Sequence, residues 1–432
     1  MEEHTLDTTQ LDAVELCCDK SKRVAAVTGP AGTGKTTILR QAYERLSSKG
    51  WMCAMVAPTG KAARRITQAT GIQARTIHKL LEYPSPGEVD EDTGKALEQG
   101  YPSRNRTKPL DCNCLFIDEA SMVTTTLARQ IYEAMPSGGI VRMFGDMNQL
   151  PPIEDTDEDP PFWHALYKRS NVGPPKELGV RLSTIYRQGE GSGIIENGVK
   201  ITKGMHPRQF DDFKLIPTKN HIDSLLSRIT DNYATLDNQV ICPGKKGFTG
   251  TVALNAILQK RFNPSYIDGV EVDRHSWDKR ESKFYIAIND KVTITKNWYD
   301  LGQYGLMNGE VGIVVDITPY GELVIDFGTE VASIPTEVSF EYKGKECVAN
   351  PQKDIDLAYA ITTHKSQGNE FNEVFYIISK DHRALLYRNN FYTAVTRARK
   401  SVSVIYDTSC MSRALSTVPL IDKKNKKSTK LL

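Results

Sequence analysis

The sequence predicts an α/β protein with two parallel sheets, and three observations carry this prediction. Short apolar runs alternate with helical patterns in the first part of the chain. A second alternation of this kind begins near Leu182 and resumes at residues 356–380 and 392–406. Gly, Pro, Asp and Glu bound the apolar runs of the first part, as they commonly bound strands. Strands that alternate with helices form parallel sheets, which bind ligands at the carboxyl ends of their strands.

Four buried strands and one amphipathic helix are predicted in the first part. The strands are expected at residues 24–28, 53–57, 114–117 and 141–144. The helix is expected at residues 36–49, where one face carries Ile38, Leu39, Ala42, Tyr43 and Leu46. Gly50 ends this helix.

Segments of different composition suggest insertions and a tail. Residues 83–109, rich in Pro, Gly and charge, are predicted to form a small inserted hairpin subdomain. Residues 284–350 are rich in Val, Ile, Thr and Tyr, which predicts an inserted β-barrel. The domains are therefore expected at 1–180, at 181–283 with 351–415, and at 284–350. A basic, disordered tail is expected at 416–432.

The composition is that of an ordinary soluble protein without a charge bias. The chain has 432 residues, and 55 Lys and Arg balance 53 Asp and Glu to a net charge of +2. A near-neutral total neither requires nor excludes a nucleic-acid partner, because binding needs only a local basic groove. The eight cysteines have no metal-binding spacing, and no apolar stretch could span a bilayer. A reduced, cytoplasmic protein without a membrane partner is expected.

A glycine-rich segment between the first strand and the first helix predicts an ATP site. It reads Gly29-Pro30-Ala31-Gly32-Thr33-Gly34-Lys35-Thr36-Thr37. Glycines let backbone N–H groups surround the β-phosphate at the helix N-terminus. Lys35 is expected to reach the β- and γ-phosphates, and the Thr36 hydroxyl to bind Mg²⁺.

Two adjacent carboxylates after the third strand favour hydrolysis over transfer of the phosphate to another substrate. Asp118 is expected to hold Mg²⁺ through water, and Glu119 to orient and deprotonate the attacking water. Such pairs also end ordinary strands, so the prediction depends on the phosphate loop beside them.

With these two motifs in place, the chain resembles the superfamily 1 helicases, and within them the compact phage type of the RecD-like branch. The resemblance spans Gln10 to Lys400, and the motifs occur in the order of the family. It implies two RecA-like P-loop domains with ATP between them, an inserted strand-separating hairpin and an inserted SH3-like β-barrel. For a phage-encoded protein, the expected location is the host cytoplasm.

The resemblance assigns further nucleotide contacts. Gln10 matches a glutamine that reads the adenine edge, and Gln149 matches a sensor of the γ-phosphate. Arg187 matches a γ-phosphate contact, and Arg397 an arginine finger from the second domain. Gly368 and Glu370 match the segment that approaches the ribose.

Strand-gripping residues are likewise implied by the resemblance. They are Pro58, Thr59, Lys61, Thr76, His78, Thr363 and His364. Contacts to the strand backbone, with some base stacking, would make binding largely independent of sequence.

The predicted function is ATP-dependent DNA unwinding with 5′ to 3′ movement on single-stranded DNA. The expected partners are single-stranded DNA, junctions of single and double strands, and a single-strand-binding or replication protein, with the chain acting as a monomer. Four alternatives stay open: an RNA helicase of a plus-strand virus, a translocase that does not unwind, a P-loop phosphotransferase, and a strand-binding protein with a vestigial ATP site.

Overall fold

The computed structural model describes two compact units. It describes residues 6–83, 101–152, 178–186, 191–230, 233–274, 282–298, 301–303, 305–342 and 345–417. The first unit runs to Glu190, and the second from Gly191 to Thr417. Most of the predicted hairpin insertion, at 84–100, and the predicted tail from 418 onward lie outside the described residues. No helix in the described ranges is long and apolar enough to cross a membrane.

A six-stranded parallel sheet forms the centre of the first unit. Its strands are β1 (Val24–Thr28), β2 (Cys53–Ala57), β3 (Ala74–Thr76), β4 (Cys114–Ile117), β5 (Ile140–Gly145) and β6 (Gly179–Arg181). Their order is β3-β2-β4-β5-β1-β6. The predicted limits of β1, β2 and β4 are confirmed residue for residue, and β5 is one residue longer at each end. The strands β3 and β6 were not predicted, because three residues are too few to show a pattern.

Helices cover both faces of this sheet. They are α1 (Thr8–Cys18), α2 (Lys35–Ser47), α3 (Gly60–Thr70), α4 (Ile77–Leu80) and α5 (Thr125–Ala134). Apolar side chains of α1, α2 and α3 fill the core on one face, and those of α4 and α5 fill the core on the other. Leu182, where the second α/β segment was expected to begin, packs in the core of this first unit. All eight cysteines are free.

The second unit contains a five-stranded parallel sheet. Its strands are β7 (Phe213–Pro217), β8 (Asn238–Cys242), β18 (Ala360–Thr362), β19 (Phe371–Ile378) and β20 (Ala398–Tyr406), in the order β18-β8-β19-β20-β7. The helices of this unit are α6 (Gly193–Thr202), α7 (His221–Leu226), α8 (Thr251–Phe262), α9 (Thr363–Ser366), α10 (Arg388–Val395) and α11 (Thr408–Ser416). Two parallel sheets with flanking helices confirm the predicted α/β class.

The strands β9 to β17 lie between α8 and β18. They are β9 (Val270–Arg274), β10 (Ser282–Ile286), β11 (Lys291–Ile294), β12 (Val311–Ile317), β13 (Leu323–Asp326), β14 (Val331–Ile334), β15 (Val338–Tyr342), β16 (Lys345–Ala349) and β17 (Ile355–Leu357). The predicted SH3-like barrel is not confirmed. Among the described residues, five of these strands form an open antiparallel sheet of order β14-β13-β12-β11-β17, and the others form two hairpins. The edge strands β14 and β17 do not pair with each other, so the sheet does not close.

A buried carboxylate ties this β-rich segment to the parallel sheet of the same unit. Asp290 is fully buried just before β11. Its oxygens accept hydrogen bonds from the backbone N–H of Ala287 at 2.9 Å and from the Tyr359 hydroxyl at 2.8 Å. The side-chain amides of Gln259 and Asn263 donate at 2.6 and 2.8 Å. Burial raises the pKa of Asp290, and these four donors oppose that shift by stabilising the carboxylate.

We expect Asp290→Asn to lower the free energy of unfolding by about 1–3 kcal/mol, because an amide N–H₂ would face donors and leave buried groups unpaired. Urea denaturation measures this loss. The matched control is Asp268→Asn, at an exposed aspartate, which should change stability by no more than about 0.5 kcal/mol. Equal effects of the two substitutions would contradict this account of the buried carboxylate.

Candidate functional site

Five neighbouring strands of the first unit end at one edge of their sheet, and the predicted site residues follow them. In sheet order, the segments are 76–78 at the end of β3, 58–61 after β2, 118–119 after β4, 146–149 after β5 and 29–35 after β1. Parallel strands share one carboxyl edge, so these segments are neighbours along it. The predicted ATP residues therefore lie beside the predicted strand-gripping residues, with the carboxylates between them.

Two left-handed glycines and one glutamine shape the phosphate loop. Gly32 and Gly34 both have φ near 82°, and Gly34 directly precedes α2. The side-chain amide of Gln10 donates to the Thr33 carbonyl at 3.1 Å. The Thr33 hydroxyl donates to the Pro30 carbonyl at 2.9 Å. Gln10, predicted as an adenine contact, thus holds the loop itself.

The Lys35 ammonium points into the loop. It donates to two loop carbonyls, those of residues 29 and 30, at 2.6 and 2.8 Å. Burial lowers the pKa of Lys35, and the carboxylates of Asp146, Glu119 and Asp118 oppose this shift. A cation in this place, at the first turn of α2, suits the charge of a bound triphosphate.

The two carboxylates after β4 combine a raised pKa, at Asp118, with a strained backbone, at Glu119. Burial and the neighbouring Glu119 together raise the pKa of Asp118 to about 6, although Lys35 and Arg65 oppose the shift. The backbone N–H of Glu119 donates to the Asp118 carboxylate at 2.9 Å. Glu119 has φ of 49°, a left-handed conformation that residues with a Cβ rarely adopt. Strain of this kind concentrates at active sites, where the surrounding structure enforces it.

Hard oxygen donors near the loop fit a magnesium ion. Thr36 lies in the first turn of α2, and Asp118 follows β4, which ends at the same edge. In nucleotide sites, Mg²⁺ takes one or two protein oxygens together with phosphate oxygens and water. The Thr36 hydroxyl and the Asp118 carboxylate therefore suffice as protein ligands for Mg²⁺ beside a bound triphosphate. The described residues contain no cluster of three or more His, Cys, Asp and Glu side chains that could hold a metal ion alone.

Asp146 is a site residue that the sequence analysis did not single out. It is 1% exposed, follows β5 and is the carboxylate that most opposes the lowered pKa of Lys35. Gln149 is 4% exposed three residues later, and its backbone N–H donates to the Asp146 carbonyl at 3.3 Å. A carboxylate directly after a strand that neighbours the phosphate-loop strand is the sequence signal that could have identified Asp146.

Tyr186 was also missed as a neighbour of the phosphate loop. Its backbone N–H donates to the Gly32 carbonyl at 2.8 Å, and its hydroxyl donates to the Asp7 carboxylate. Its side chain is 53% exposed. The next residue, Arg187, lies outside the described residues.

Two of the predicted strand-gripping residues in the first unit are also helix caps. The hydroxyls of Thr59 and Thr76 accept backbone N–H groups at the starts of α3 and α4, at 3.3 and 3.1 Å. The His78 ring is half-buried, 4.8 Å from the Tyr83 ring. Burial lowers the pKa of His78, which favours the neutral ring, and a neutral ring can offer hydrogen bonds or stacking.

The predicted site residues of the second unit lie at opposite ends of its parallel sheet. Thr363 and His364 follow the carboxyl end of β18, whereas Glu370 and Arg397 directly precede β19 and β20. Thr363 was expected to face a strand, but its side chain is fully buried and its hydroxyl donates to the Asn390 side chain at 2.7 Å. Its side chain therefore has a structural partner, and only its backbone is left for a strand.

The nucleotide residues predicted for the second unit have partners within that unit. Glu370 forms an ion pair with Arg399 at 2.9 Å. Arg397 is buried and donates to the carbonyls of Thr393 and Asn369 at 3.1 and 3.3 Å. No described carboxylate forms an ion pair with Arg397. The predicted roles of Gly368, Glu370 and Arg397 toward ATP stay predictions.

We expect Gly34→Ala to weaken nucleotide binding about tenfold or more, because a Cβ at this φ is strained and would lie 2.5 Å from the Gln10 amide. Gly71→Ala is the matched control, since Gly71 has φ of 74° with open space around it. It should lower stability by about 1 kcal/mol without changing nucleotide affinity. Fluorescence titration with a labelled ADP measures the nucleotide affinity of both variants. Equal affinities of the two variants would show that the Gln10 contact is unimportant.

Known proteins resemble the chain over most of its length. The family described as AAA domain matches residues 5–222, half of the chain, and the UvrD-like helicase C-terminal domain matches residues 357–405. The ATP-dependent RecD2 DNA helicase of Deinococcus radiodurans is 31% identical over 381 residues, which are 87% of this chain and 46% of that protein. The RecBCD enzyme subunit RecD of Mycolicibacterium smegmatis is 26% identical, over 89% of this chain and 68% of that protein.

Solved structures share the fold. The Pif1 helicase from Bacteroides in complex with ADP-AlF3 and single-stranded DNA has a TM-score of 0.61 and 22% identity, covering 99% of this chain and 98% of that one. Two features of the sequence agree with these similarities: the phosphate loop with its carboxylates, and the order of the later motifs. The chain belongs to the AAA-domain family and is a RecD-like member of the superfamily 1 helicases.

Proposed function

We propose that this chain is an ATP-driven motor that moves 5′ to 3′ along single-stranded DNA and unwinds duplex at junctions. The observation that carries the proposal is the shared carboxyl edge of the first sheet. The segment after β2 holds Pro58, Thr59 and, in the first turn of α3, Lys61. It is next to the loop after β4, which holds Asp118 and Glu119. A change at the γ-phosphate therefore has a short path to the strand-gripping loops.

Two resemblances support DNA as the substrate. The RecD2 protein of Deinococcus radiodurans is a DNA helicase by name, although this chain spans 46% of its length. Bacteroides Pif1 has been solved bound to single-stranded DNA, and another solved structure concerns unwinding at forked double-stranded DNA by two Pif1 helicases. The direction of movement rests on the resemblance to the RecD-like branch alone.

Lys35 and the N–H groups of the loop bind the β- and γ-phosphates, and Thr36 and Asp118 hold Mg²⁺, which neutralises phosphate charge when bound. Glu119 orients and deprotonates the attacking water. Gln149 responds to the γ-phosphate from the end of β5.

The resemblance adds residues whose roles are proposed on that ground. Arg187 and Arg397 stabilise charge on the γ-phosphate, Gln10 contacts adenine, and Gly368 and Glu370 lie towards the ribose. The proposed strand contacts are Pro58, Thr59, Lys61, Thr76, His78 and His364, with Thr363 contributing its backbone.

The variant Glu119→Gln should keep binding ATP and single-stranded DNA yet lose about 10²–10⁴-fold in hydrolysis, because an amide cannot accept the proton of water. Lys35→Ala should instead weaken ATP binding itself, since it removes the cation in the loop. Glu44→Gln, at an exposed ion pair on α2, serves as the control and should behave as wild type. Steady-state phosphate release and nucleotide titration separate the two effects. Wild-type hydrolysis by Glu119→Gln would remove Glu119 from the role of base.

Strand displacement tests the whole proposal. Short DNA duplexes with one single-stranded tail are incubated with ATP and Mg²⁺, and Lys35→Ala is the inactive control. Displacement is expected from the 5′-tailed duplex, because a 5′ to 3′ motor loads on that tail and reaches the junction.

Each other outcome has a distinct meaning. Displacement only from the 3′-tailed duplex would reverse the direction. Activity only on RNA duplexes would favour the RNA helicase. ATP hydrolysis stimulated by DNA without displacement would indicate a translocase that does not unwind, and hydrolysis indifferent to any strand would rule out a motor.

A further inference from the structure

A buried arginine holds the end of α1 that lies away from the phosphate loop. Arg142 belongs to β5 and is fully buried. Its guanidinium donates to the carbonyl of Cys17 at 2.6 Å, of Asp19 at 2.7 Å and of Lys22 at 3.0 Å. Cys17 is in the last turn of α1, and the other two carbonyls follow the helix. All its hydrogen-bond partners are carbonyls, and no described carboxylate forms an ion pair with it.

Such an arrangement needs a reason, because a buried guanidinium without a carboxylate is costly in free energy. The last turn of α1 contains no basic residue. Arg142 supplies a cation at the negative end of the helix dipole and satisfies carbonyls that the helix leaves unpaired. An apolar side chain could fill the same volume but could not fix the position of the helix end.

The other end of α1 contacts the phosphate loop. Asp7 caps the helix and exchanges hydrogen bonds with Gln10, at 2.7 and 3.1 Å. The Gln10 amide donates to the Thr33 carbonyl, and it fills the space where a Cβ on Gly34 would lie. The helix has eleven residues, which makes it about 16 Å long. It is a short rigid connection between Arg142 and the loop.

We propose that Arg142 is a positioning residue for nucleotide binding, because it fixes α1 so that Gln10 holds the phosphate loop in its binding shape. The inference rests on the proposed function, since it takes this loop to be the ATP site. A shift of about 1 Å at the Gln10 end would stretch its hydrogen bond to Thr33 beyond the useful range. Gln10 touches the loop and not the carboxylates, so the loss falls on affinity and not on the chemical step.

The test compares Arg142→Met and Arg142→Lys with wild type, using a labelled ADP for affinity and ATP hydrolysis with single-stranded DNA for KM and kcat. Arg142→Met should raise Kd and KM about tenfold and leave kcat within about threefold. Arg142→Lys should lie between Arg142→Met and wild type, since an ammonium keeps the charge but reaches fewer carbonyls. This variant also serves if Arg142→Met does not fold.

A double variant decides whether Arg142 acts through Gln10. In a Gln10→Ala background, Arg142→Met or Arg142→Lys should change Kd by less than about twofold, because the contact that it supports is already gone. If the fold-changes in Kd caused by the Gln10 and Arg142 substitutions multiply in the double variant, the two residues act independently and the proposal is overturned.

Ile131→Ala, in the core on the opposite face of the sheet, controls for general loss of stability and should lower the melting temperature without changing Kd. A rise in Kd for Ile131→Ala that matches that of Arg142→Met would also overturn the proposal. Failure of the wild-type chain to bind labelled ADP would refute the proposed function instead.

Discussion

The charge balance around Lys35 is the interaction on which the site of the first unit depends. A half-buried ammonium needs nearby negative charge, and the chain supplies it from the ends of β4 and β5. This is possible only because β5 lies between β4 and β1 in the sheet, an order that brings distant parts of the chain to one edge. The same order puts the β2 and β3 loops next along the edge. Strand order thus links the phosphate-binding residues to the loops that would grip a strand.

Much of this could be predicted from the sequence, for physical reasons. Most residues of the strands β1, β2 and β4 are buried, so these strands are continuous apolar runs with sharp limits. The phosphate loop and the Asp118–Glu119 pair depend on local spacing, which a sequence displays directly. The family resemblance supplied the remaining roles, which stay predictions. Arg397 is one of them, and its guanidinium donates to carbonyls of its own unit.

What could not be predicted depends on contacts between distant residues. The left-handed φ of Glu119 follows from the packing around it and has no local sequence signature. Thr363 belongs to a motif that was predicted to face the nucleic-acid strand. Its hydroxyl instead donates a hydrogen bond to the buried side chain of Asn390. Apolar and β-branched residues predicted the β-rich segment correctly as strands, yet closure into a barrel depends on pairing between edge strands, which composition does not encode. Arg142 has no sequence signature of its role, because its carbonyl partners Cys17, Asp19 and Lys22 are distant in the chain.

The position of β6 has a consequence for how the first unit forms. It pairs with β1, although β2 to β5 lie between them in the chain. Leu182 and Tyr186, which follow β6, add hydrogen bonds to Thr28 and Gly32 beside the phosphate loop. During synthesis, β1 to β5 leave the ribosome before β6 does, so the open side of β1 remains without its neighbour until then. The nascent unit has an unpaired strand edge for that interval, and unpaired edges are prone to pairing with the wrong strand.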